Sequence, residues 1–197
     1  MLVKTYGSAI QGVNAVSITV EVNVTPGAKY FMVGLPDNAV KESEQRIDSA
    51  LKFHGFRMPR QKVVINMAPV DMQKEGSAYD LPNALGILGA SGQMENENLD
   101  KYIIMGELAL DGELRPIKGV LPIAIQARKA GFKGIVLPIH NAKEAAIVNN
   151  LDVIGVENIK DAIDFFNGDK EIKPLECNTR EIFEYTLNDY DADFSDV

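Results

Sequence analysis

The sequence predicts a mixed α/β or α+β domain, and three observations support this fold class. Residues 16–24 alternate apolar and polar side chains, which is typical of a half-buried strand. Residues 34–55 instead repeat apolar side chains at helical spacing. From residue 102 to residue 167, strand-like and helix-like segments alternate. With 197 residues, the chain is long enough for one sizeable domain, or for one domain and a tail.

The first third of the chain predicts four strands, including the one at residues 16–24, and a helix. The N-terminal stretch MLVKTYGSAI alternates as a strand does. Pro26-Gly27 predicts a turn into a second strand, KYFMV, so we expect residues 16–33 to form a hairpin. A helix is expected from residues 36–37 to Gly55, and Lys62–Met67 is expected to be a buried strand.

The stretch Lys74–Leu88, KEGSAYDLPNALGIL, is the one around which the chain is organised. A polar turn, Asp71–Tyr79, precedes an apolar helix for which Asp80 is the predicted N-cap. Because free N–H groups converge at a helix N-terminus, a strand–loop–helix junction of this kind suits anion binding or oxyanion chemistry.

The second half of the chain predicts further alternating elements. Asp111-Gly112 is favoured in a tight hairpin turn in which both residues have positive φ. A helix is expected to begin near Gly119 and to end at Gly131. The other predicted elements are strands at 102–105, 134–138 and 152–156, and helices at 142–149 and 158–167.

Charge and composition bound the class of protein. The net charge is −8, but residues 171–197 hold 8 acidic and 2 basic side chains, whereas residues 1–170 hold 20 and 18. We therefore expect a nearly neutral domain over residues 1–170 and an acidic linker over 171–197. No apolar run reaches the ~20 residues that a membrane helix needs. A lone Cys177, and two histidines without a ligand partner, predict a cytoplasmic protein without a zinc site.

The sequence contains neither G-x-x-x-x-G-K-[ST] nor G-x-G-x-x-G nor H-E-x-x-H. The remaining candidates for chemistry are Lys74, Glu75, Ser77, Asp80 and Lys118. Ser77 can be a nucleophile that a lysine activates. The alternative, which the residue pattern favours, is that Ser77 and Asp80 are turn and cap residues and that Lys74 and Glu75 are solvated.

A basic turn at 52–62, KFHGFRMPRQK, is the candidate nucleic-acid contact. It contains four Lys or Arg, one His, two Phe and no carboxylate. Arg57, Arg60 and Lys62 are the residues expected to contact phosphates. The alternative is a helix end whose cations favour the C-terminal dipole, followed by a solvated turn.

Three long segments resemble the N-terminal domain of ComM-like proteins, also called magnesium chelatase subunit I-like AAA+ ATPases. They are GLPDNAVKESEQRIDSAL at 34–51, INMAPVDMQKEGSAYDLPNALGIL at 65–88 and GELALDGELRPIKGVLPIAIQARKAGFKGIVLP at 106–138. DFSDV at 193–197 resembles the start of the AAA+ module, so we expect this chain to be the N-terminal part of such a protein.

That domain is similar in fold to the proteolytic domain of Lon and to the Lon-like domain of RadA. All belong to the superfamily of the second domain of a small-subunit ribosomal protein. Lon uses a serine–lysine dyad; carried over residue by residue, its serine position falls on Ala78 and its lysine position on Leu121. Ser77 lies one position early, and Lys118 three. The resemblance therefore implies a protease fold without the protease dyad.

The resemblance also implies a role. The parent protein resembles a ring-forming, ATP-driven DNA motor that acts in branch migration during uptake of transforming DNA. ATP and magnesium are then expected in the AAA+ module and no cofactor in this chain. The partners are then further copies of the protein and DNA, and no membrane is expected. From their charge and position, and not from the resemblance, we expect Lys74 and Lys118 at the loop mouth and the basic turn to contact DNA.

Three alternatives stay open at this point. The first is an active serine protease that uses Ser77 with Lys74 or Lys118. The second is a magnesium chelatase component for tetrapyrrole synthesis. The third is a pure oligomerisation module.

Overall fold

A computed structural model describes residues 1–177 of the chain. Its centre is a mixed seven-stranded sheet of order β3-β4-β2-β1-β5-β8-β9, and β6 and β7 form a separate two-stranded ribbon. The strands are β1 (Leu2–Gln11), β2 (Asn14–Thr25), β3 (Tyr30–Val33), β4 (Lys62–Ala68), β5 (Tyr102–Ile104), β6 (Glu107–Leu108), β7 (Leu114–Arg115), β8 (Gly134–Pro138) and β9 (Asp152–Val156). The helices are α1 (Asn38–Lys41), α2 (Ser43–Phe53), α3 (Asp80–Ala90), α4 (Val120–Lys129), α5 (Ile139–Ala145) and α6 (Ile159–Asn167).

The predicted hairpin at residues 16–33 is wrong. β2 pairs antiparallel with β1 on one side and with β4 on the other, and β3 pairs only with β4, in parallel. The turn at Pro26-Gly27 therefore leads the chain past the position that β4 later fills. Alternation shows which residues of a strand face the core but not which strand lies beside it, so both pairings fit the same sequence pattern.

Helices cover both faces of the sheet. Thr5 Oγ1 donates a hydrogen bond to the carbonyl of Pro82 in α3, at 3.1 Å. The next side chain, Tyr6, packs edge-on against Phe132, which follows α4. Because successive side chains of a strand point to opposite faces, α3 and the end of α4 lie on opposite sides of β1. Every residue of α3 is buried in the core, including Asp80 and Asn83.

Most of the predicted elements of the second half are confirmed. The strands at 134–138 and 152–156 have the predicted bounds, and α4 begins directly after Gly119. Helix α5 begins at Ile139, three residues before the predicted start. In the β6–β7 turn only Gly112 has positive φ, at 87°, so the turn is not the predicted type with two such residues.

The first predicted helix is split in two. Asp37 caps α1 by accepting a hydrogen bond from the Val40 N–H at 2.8 Å. α1 ends at Lys41, and α2 continues from Ser43. The predicted end of the segment at Gly55 is confirmed, because the N–H of His54 still bonds to carbonyls of α2 and Gly55 has a φ of 80°.

The C-terminal part of the described chain runs along the sheet edge. Residues 171–177 contain no helix or strand, but the Leu175 N–H donates to the Val153 carbonyl of β9 at 2.9 Å. Residues 178–197 lie outside the described residues. The boundary near 170 and the linker over 171–197 therefore stay predictions.

Asp80 is not the helix cap that the sequence predicts. It is the first residue of α3, its side chain is 1% exposed, and it pairs with the Arg46 guanidinium of α2. Arg46 donates from Nε and Nη2 at 2.7 and 2.9 Å, and the Leu108 N–H donates at 3.1 Å. Burial raises the pKa of the Asp80 carboxyl, and the hydrogen bonds from Arg46 and Leu108 oppose that shift.

Lys74 is fully buried, so the expectation that it is solvated is wrong. Its Nζ donates hydrogen bonds to the backbone carbonyls of Pro69 and Met72, which closes the loop before α3 on itself. The backbone of Lys74 also bonds to Leu35 and Asp37, so the same residue ties this loop to the segment before α1. Burial lowers the pKa of the Lys74 amine.

Arg46→Met should destabilise the fold, because it leaves the Asp80 carboxylate buried without its partner. We expect a loss of about 3–5 kcal/mol in the free energy of unfolding, measured by urea denaturation. The double variant Arg46→Met/Asp80→Asn should lose less than the sum of the two single variants. Strict additivity would show that the two side chains do not act as a pair.

The lowered pKa of Lys74 makes a pH-dependent contribution to stability. Between the folded pKa and the ordinary value of 10.5, the unfolded chain binds more protons than the folded one. The free energy of unfolding of the wild type, relative to Lys74→Met, should therefore rise as pH rises toward 10.5 and level off above it. Denaturation of both proteins across alkaline pH measures this difference. A difference that stays constant would show that burial does not disfavour the ammonium form.

Candidate functional site

A cleft of about 740 Å³ opens where β1 and β5 end and α3 begins. Three short segments and two carboxylates form its walls. They are residues 8–10 of β1, residues 75–79 before α3, and residues 116–118 before α4, with Asp37 and Glu107. The carboxyl ends of neighbouring parallel strands are a common position for ligand sites in sheets with helices on both faces. The strand–loop–helix junction predicted as the organising stretch lies in this cleft.

The Ser77 hydroxyl donates a hydrogen bond to the Glu107 carboxylate on β6. Arg115 of β7 lies 3.4 Å from the other oxygen of Glu107. Asp37, besides capping α1, accepts a hydrogen bond from the Gly76 N–H at 3.0 Å. The polar groups of the loop are thus held by carboxylates from two other segments of the chain.

The structure does not join Ser77 to Lys74, one of the two lysines with which the protease alternative would pair it. The Lys74 amine points to the Pro69 and Met72 carbonyls, whereas the Ser77 hydroxyl bonds to Glu107. Lys118 lines the cleft, and so does Ala78 at the serine position. Leu121, at the lysine position, is half-buried in α4 and carries no amine. Among residues 1–177, the serine's hydrogen-bond partner is a carboxylate and not a lysine.

The charge of the cleft is negative. Asp37, Glu75 and Glu107 contribute −3 and Lys118 contributes +1, which leaves −2 on the lining side chains. Glu75 is exposed, whereas the other two carboxylates are half-buried and engaged in the hydrogen bonds above. Sequence reasoning did not select Asp37 and Glu107. The position of Asp37 directly before a predicted helix could have indicated a capping residue. Nothing in the local sequence indicated that Glu107 would accept a hydrogen bond from Ser77.

The basic turn lines a second groove of about 690 Å³, at the C-terminal ends of α2 and α3. Lys52, Arg57 and Arg60 line it together with Asp48. Lys52 is paired with Asp48 at 2.6 Å. The net charge of the lining is therefore +2, and the two arginines carry it.

The backbone at the groove is fixed. The side-chain amide of Gln93 accepts from the Arg57 N–H at 3.2 Å and donates to the Arg57 carbonyl at 2.9 Å. Lys62 lies outside the groove lining, with its Nζ 5.5 Å from the centre of the Phe31 ring. The predicted contacts Arg57 and Arg60 thus share one surface, and Lys62 lies at the start of the adjoining strand β4.

Residues 1–177 contain no group of three His, Cys, Asp or Glu side chains placed to hold a metal ion. None of the helices in that range is long and apolar enough to cross a membrane.

Comparison with known proteins identifies relatives over most of the chain. The family described as subunit ChlI of Mg-chelatase matches residues 20–141. The competence protein ComM of Haemophilus influenzae is 37% identical over 168 residues, which cover 85% of this chain and 33% of the relative. The protein YifB of Escherichia coli is 38% identical over 185 residues, 92% of this chain and 36% of the relative.

A more distant similarity concerns the fold. Lon protease 2 of Bacillus subtilis is 25% identical over 174 residues, 82% of this chain and 31% of the protease. This similarity, together with the mixed sheet and its helices, agrees with a Lon-like fold. The chain spans about a third of the length of the curated relatives it matches. It belongs to the family of ComM-like proteins related to the ChlI subunit of Mg-chelatase.

Proposed function

We propose that this chain is the N-terminal domain of a ring-forming, ComM-like AAA+ motor, and that it engages DNA without cutting a substrate. The motor would bind ATP and magnesium in a module beyond these residues and would drive branch migration in the cytoplasm. The observation that carries the DNA-engaging part is the basic groove, where Arg57 and Arg60 carry an uncompensated charge of +2 on a fixed backbone.

The chemistry of the groove suits phosphate. An arginine guanidinium presents several donors in one plane, which matches two oxygens of a phosphate. Both arginines are exposed, and the one carboxylate in the lining is already paired with Lys52. The cleft at Ser77 has the opposite charge and would repel a DNA backbone. We therefore place the DNA contact at Arg57, Arg60 and Lys62, and leave out Lys74, whose amine is buried.

The double charge reversal Arg57→Glu/Arg60→Glu should weaken DNA binding by at least about tenfold, because two phosphate contacts become repulsive. Binding of a short fluorescein-labelled duplex, measured by anisotropy at several salt concentrations, tests this. The slope of log K against log salt should fall in magnitude by roughly 1.8, about 0.9 for each lost contact.

The matched control is Arg128→Glu/Lys129→Glu at the exposed end of α4, which changes the net charge equally on another surface. This control should bind DNA within about twofold of the wild type. Equal losses in both double variants, or wild-type binding that does not depend on salt, would contradict the groove assignment.

A second candidate role is assembly of the ring, and the outer edge of the sheet favours it. β3 has β4 as its neighbour on one side, and its other edge is open among the described residues. Phe31 and Val33 are 42% and 48% exposed there. Leu35, two residues on, is also exposed and has a φ of 56°, which is rare for a bulky side chain. An open strand edge with apolar side chains is a surface suited to another chain.

Phe31→Lys/Val33→Lys should reduce self-association if this edge joins copies, because two buried ammonium groups would oppose the contact. Sedimentation velocity, over the range of concentrations at which the protein is soluble, measures the self-association. The control is Val13→Lys, which also replaces an exposed apolar side chain by lysine but lies in the β1–β2 turn. Unchanged association of the double variant would exclude this edge. Rings without salt-sensitive DNA binding would favour a pure oligomerisation module over a DNA collar.

A further inference from the structure

We propose that the cleft at Ser77 binds an extended peptide segment carrying Lys or Arg side chains, which adds as a strand to the free edge of β1 at Ile10. This site is separate from the proposed DNA groove. The argument rests on unpaired main-chain groups, on the path of β5 and on the charge of the cleft.

The hydrogen-bonding register of β1 leaves Ile10 unpaired. Met1 and Val24 exchange both of their backbone hydrogen bonds, at 2.7 and 3.1 Å. In an antiparallel pair such exchanges recur at every second residue, so the odd-numbered residues of β1 bond to β2. The N–H and C=O groups of the even-numbered residues therefore point away from β2.

Ser8 and Ile10 differ in the hydrogen-bond partners that they have on the side of β1 facing away from β2. The Ser8 N–H donates to Met105 Sδ at 3.2 Å, and the Ser8 carbonyl accepts from the Tyr79 hydroxyl at 3.1 Å. No loop, turn or side-chain hydrogen bond within residues 1–177 involves the N–H or the C=O of Ile10, and the register directs both groups away from β2. Ile10 is 46% exposed and lines the cleft.

Strand β5 pairs with β1 at Tyr6 but does not pair with it at Ile10. β5 meets β1 only where Tyr6 pairs with Ile103. Beyond it, the Met105 N–H still donates to Val136 of β8, but the next N–H, that of Gly106, donates to the Ala78 carbonyl and not to β1, so the chain turns away from β1. Because Ile10 lines the cleft, a strand added one spacing, about 4.8 Å, from β1 would lie in the cleft. A peptide bound there would continue the strand position of β5. Its backbone would hydrogen-bond to both the N–H and the C=O of Ile10.

The negative charge of the cleft favours a peptide with positively charged side chains. The lining carries Asp37, Glu75 and Glu107 against Lys118, a net charge of −2. Side chains that project from an added strand toward Ser77 would meet these carboxylates, which favours Lys or Arg. The chain's own residues 171–197 carry 8 acidic and 2 basic side chains, so their charge opposes binding in the cleft. The charge therefore points to a basic segment of another protein.

The probe is a fluorescein-labelled peptide of alternating valine and lysine, titrated with the 197-residue chain and followed by anisotropy. Saturable binding is expected. The same peptide with N-methyl groups on alternate residues should bind at least about tenfold more weakly, because it cannot complete the strand pairing. Equal binding of the methylated peptide overturns the proposal, as does the absence of binding by the parent peptide. A peptide with glutamate in place of lysine should not bind.

Two variants test whether the peptide binds in the cleft. Ile10→Pro removes the free N–H without breaking a bond of the sheet, and Glu75→Lys reverses the charge of the exposed carboxylate. Each should weaken peptide binding by about tenfold or more. The control Glu97→Lys reverses an exposed carboxylate outside the cleft and should leave peptide binding unchanged.

Equal weakening by Glu75→Lys and Glu97→Lys would show non-specific attraction and would overturn the proposal. Far-ultraviolet circular dichroism checks that Ile10→Pro is folded; if it is not, the methylated peptide and the Glu75→Lys comparison decide. DNA binding should be the same in Glu75→Lys and Glu97→Lys, which separates this test from that of the basic groove.

Discussion

The buried pair of Arg46 and Asp80 is the interaction on which the geometry of this domain depends. The Asp80 carboxylate receives hydrogen bonds from α2 through Arg46 and from β6 through the Leu108 N–H, while its own backbone begins α3. Three segments that are distant in sequence thus meet at one carboxylate without contact with water. Since Ser77 lies three residues before Asp80 and Glu107 directly precedes Leu108, the pair also fixes the wall of the cleft.

The same arrangement separates two surfaces of opposite charge. The N-terminal end of α3 opens into the acidic cleft, and its C-terminal end adjoins the basic groove, where Gln93 holds the backbone of Arg57. Because α3 is buried along its whole length, the two surfaces are held at a fixed separation. This geometry suits a domain that positions partners, and it explains why the two proposed ligands have opposite charges.

The Lon-like fold carries a loop before α3 whose polar side chains bond to groups within the domain. At the position where a dyad serine would stand there is Ala78, and the neighbouring Ser77 is bound to a carboxylate. The lysine of the loop, Lys74, is a structural residue that bonds to two carbonyls of its own turn. In physical terms, the polar side chains of the loop stabilise its conformation.

The sequence by itself determined the fold class, most strands and helices and the family, because apolar periodicity and contiguous motifs are properties of local stretches. It also located the basic turn and the loop before α3. Only the tertiary structure decided that β4 separates β2 from β3, that Lys74 and Asp80 are buried, and that Glu107 meets Ser77. The physical reason is that strand neighbours, burial of a single charge and the partner of a hydroxyl depend on segments 30 or more residues apart, whose approach no local pattern encodes.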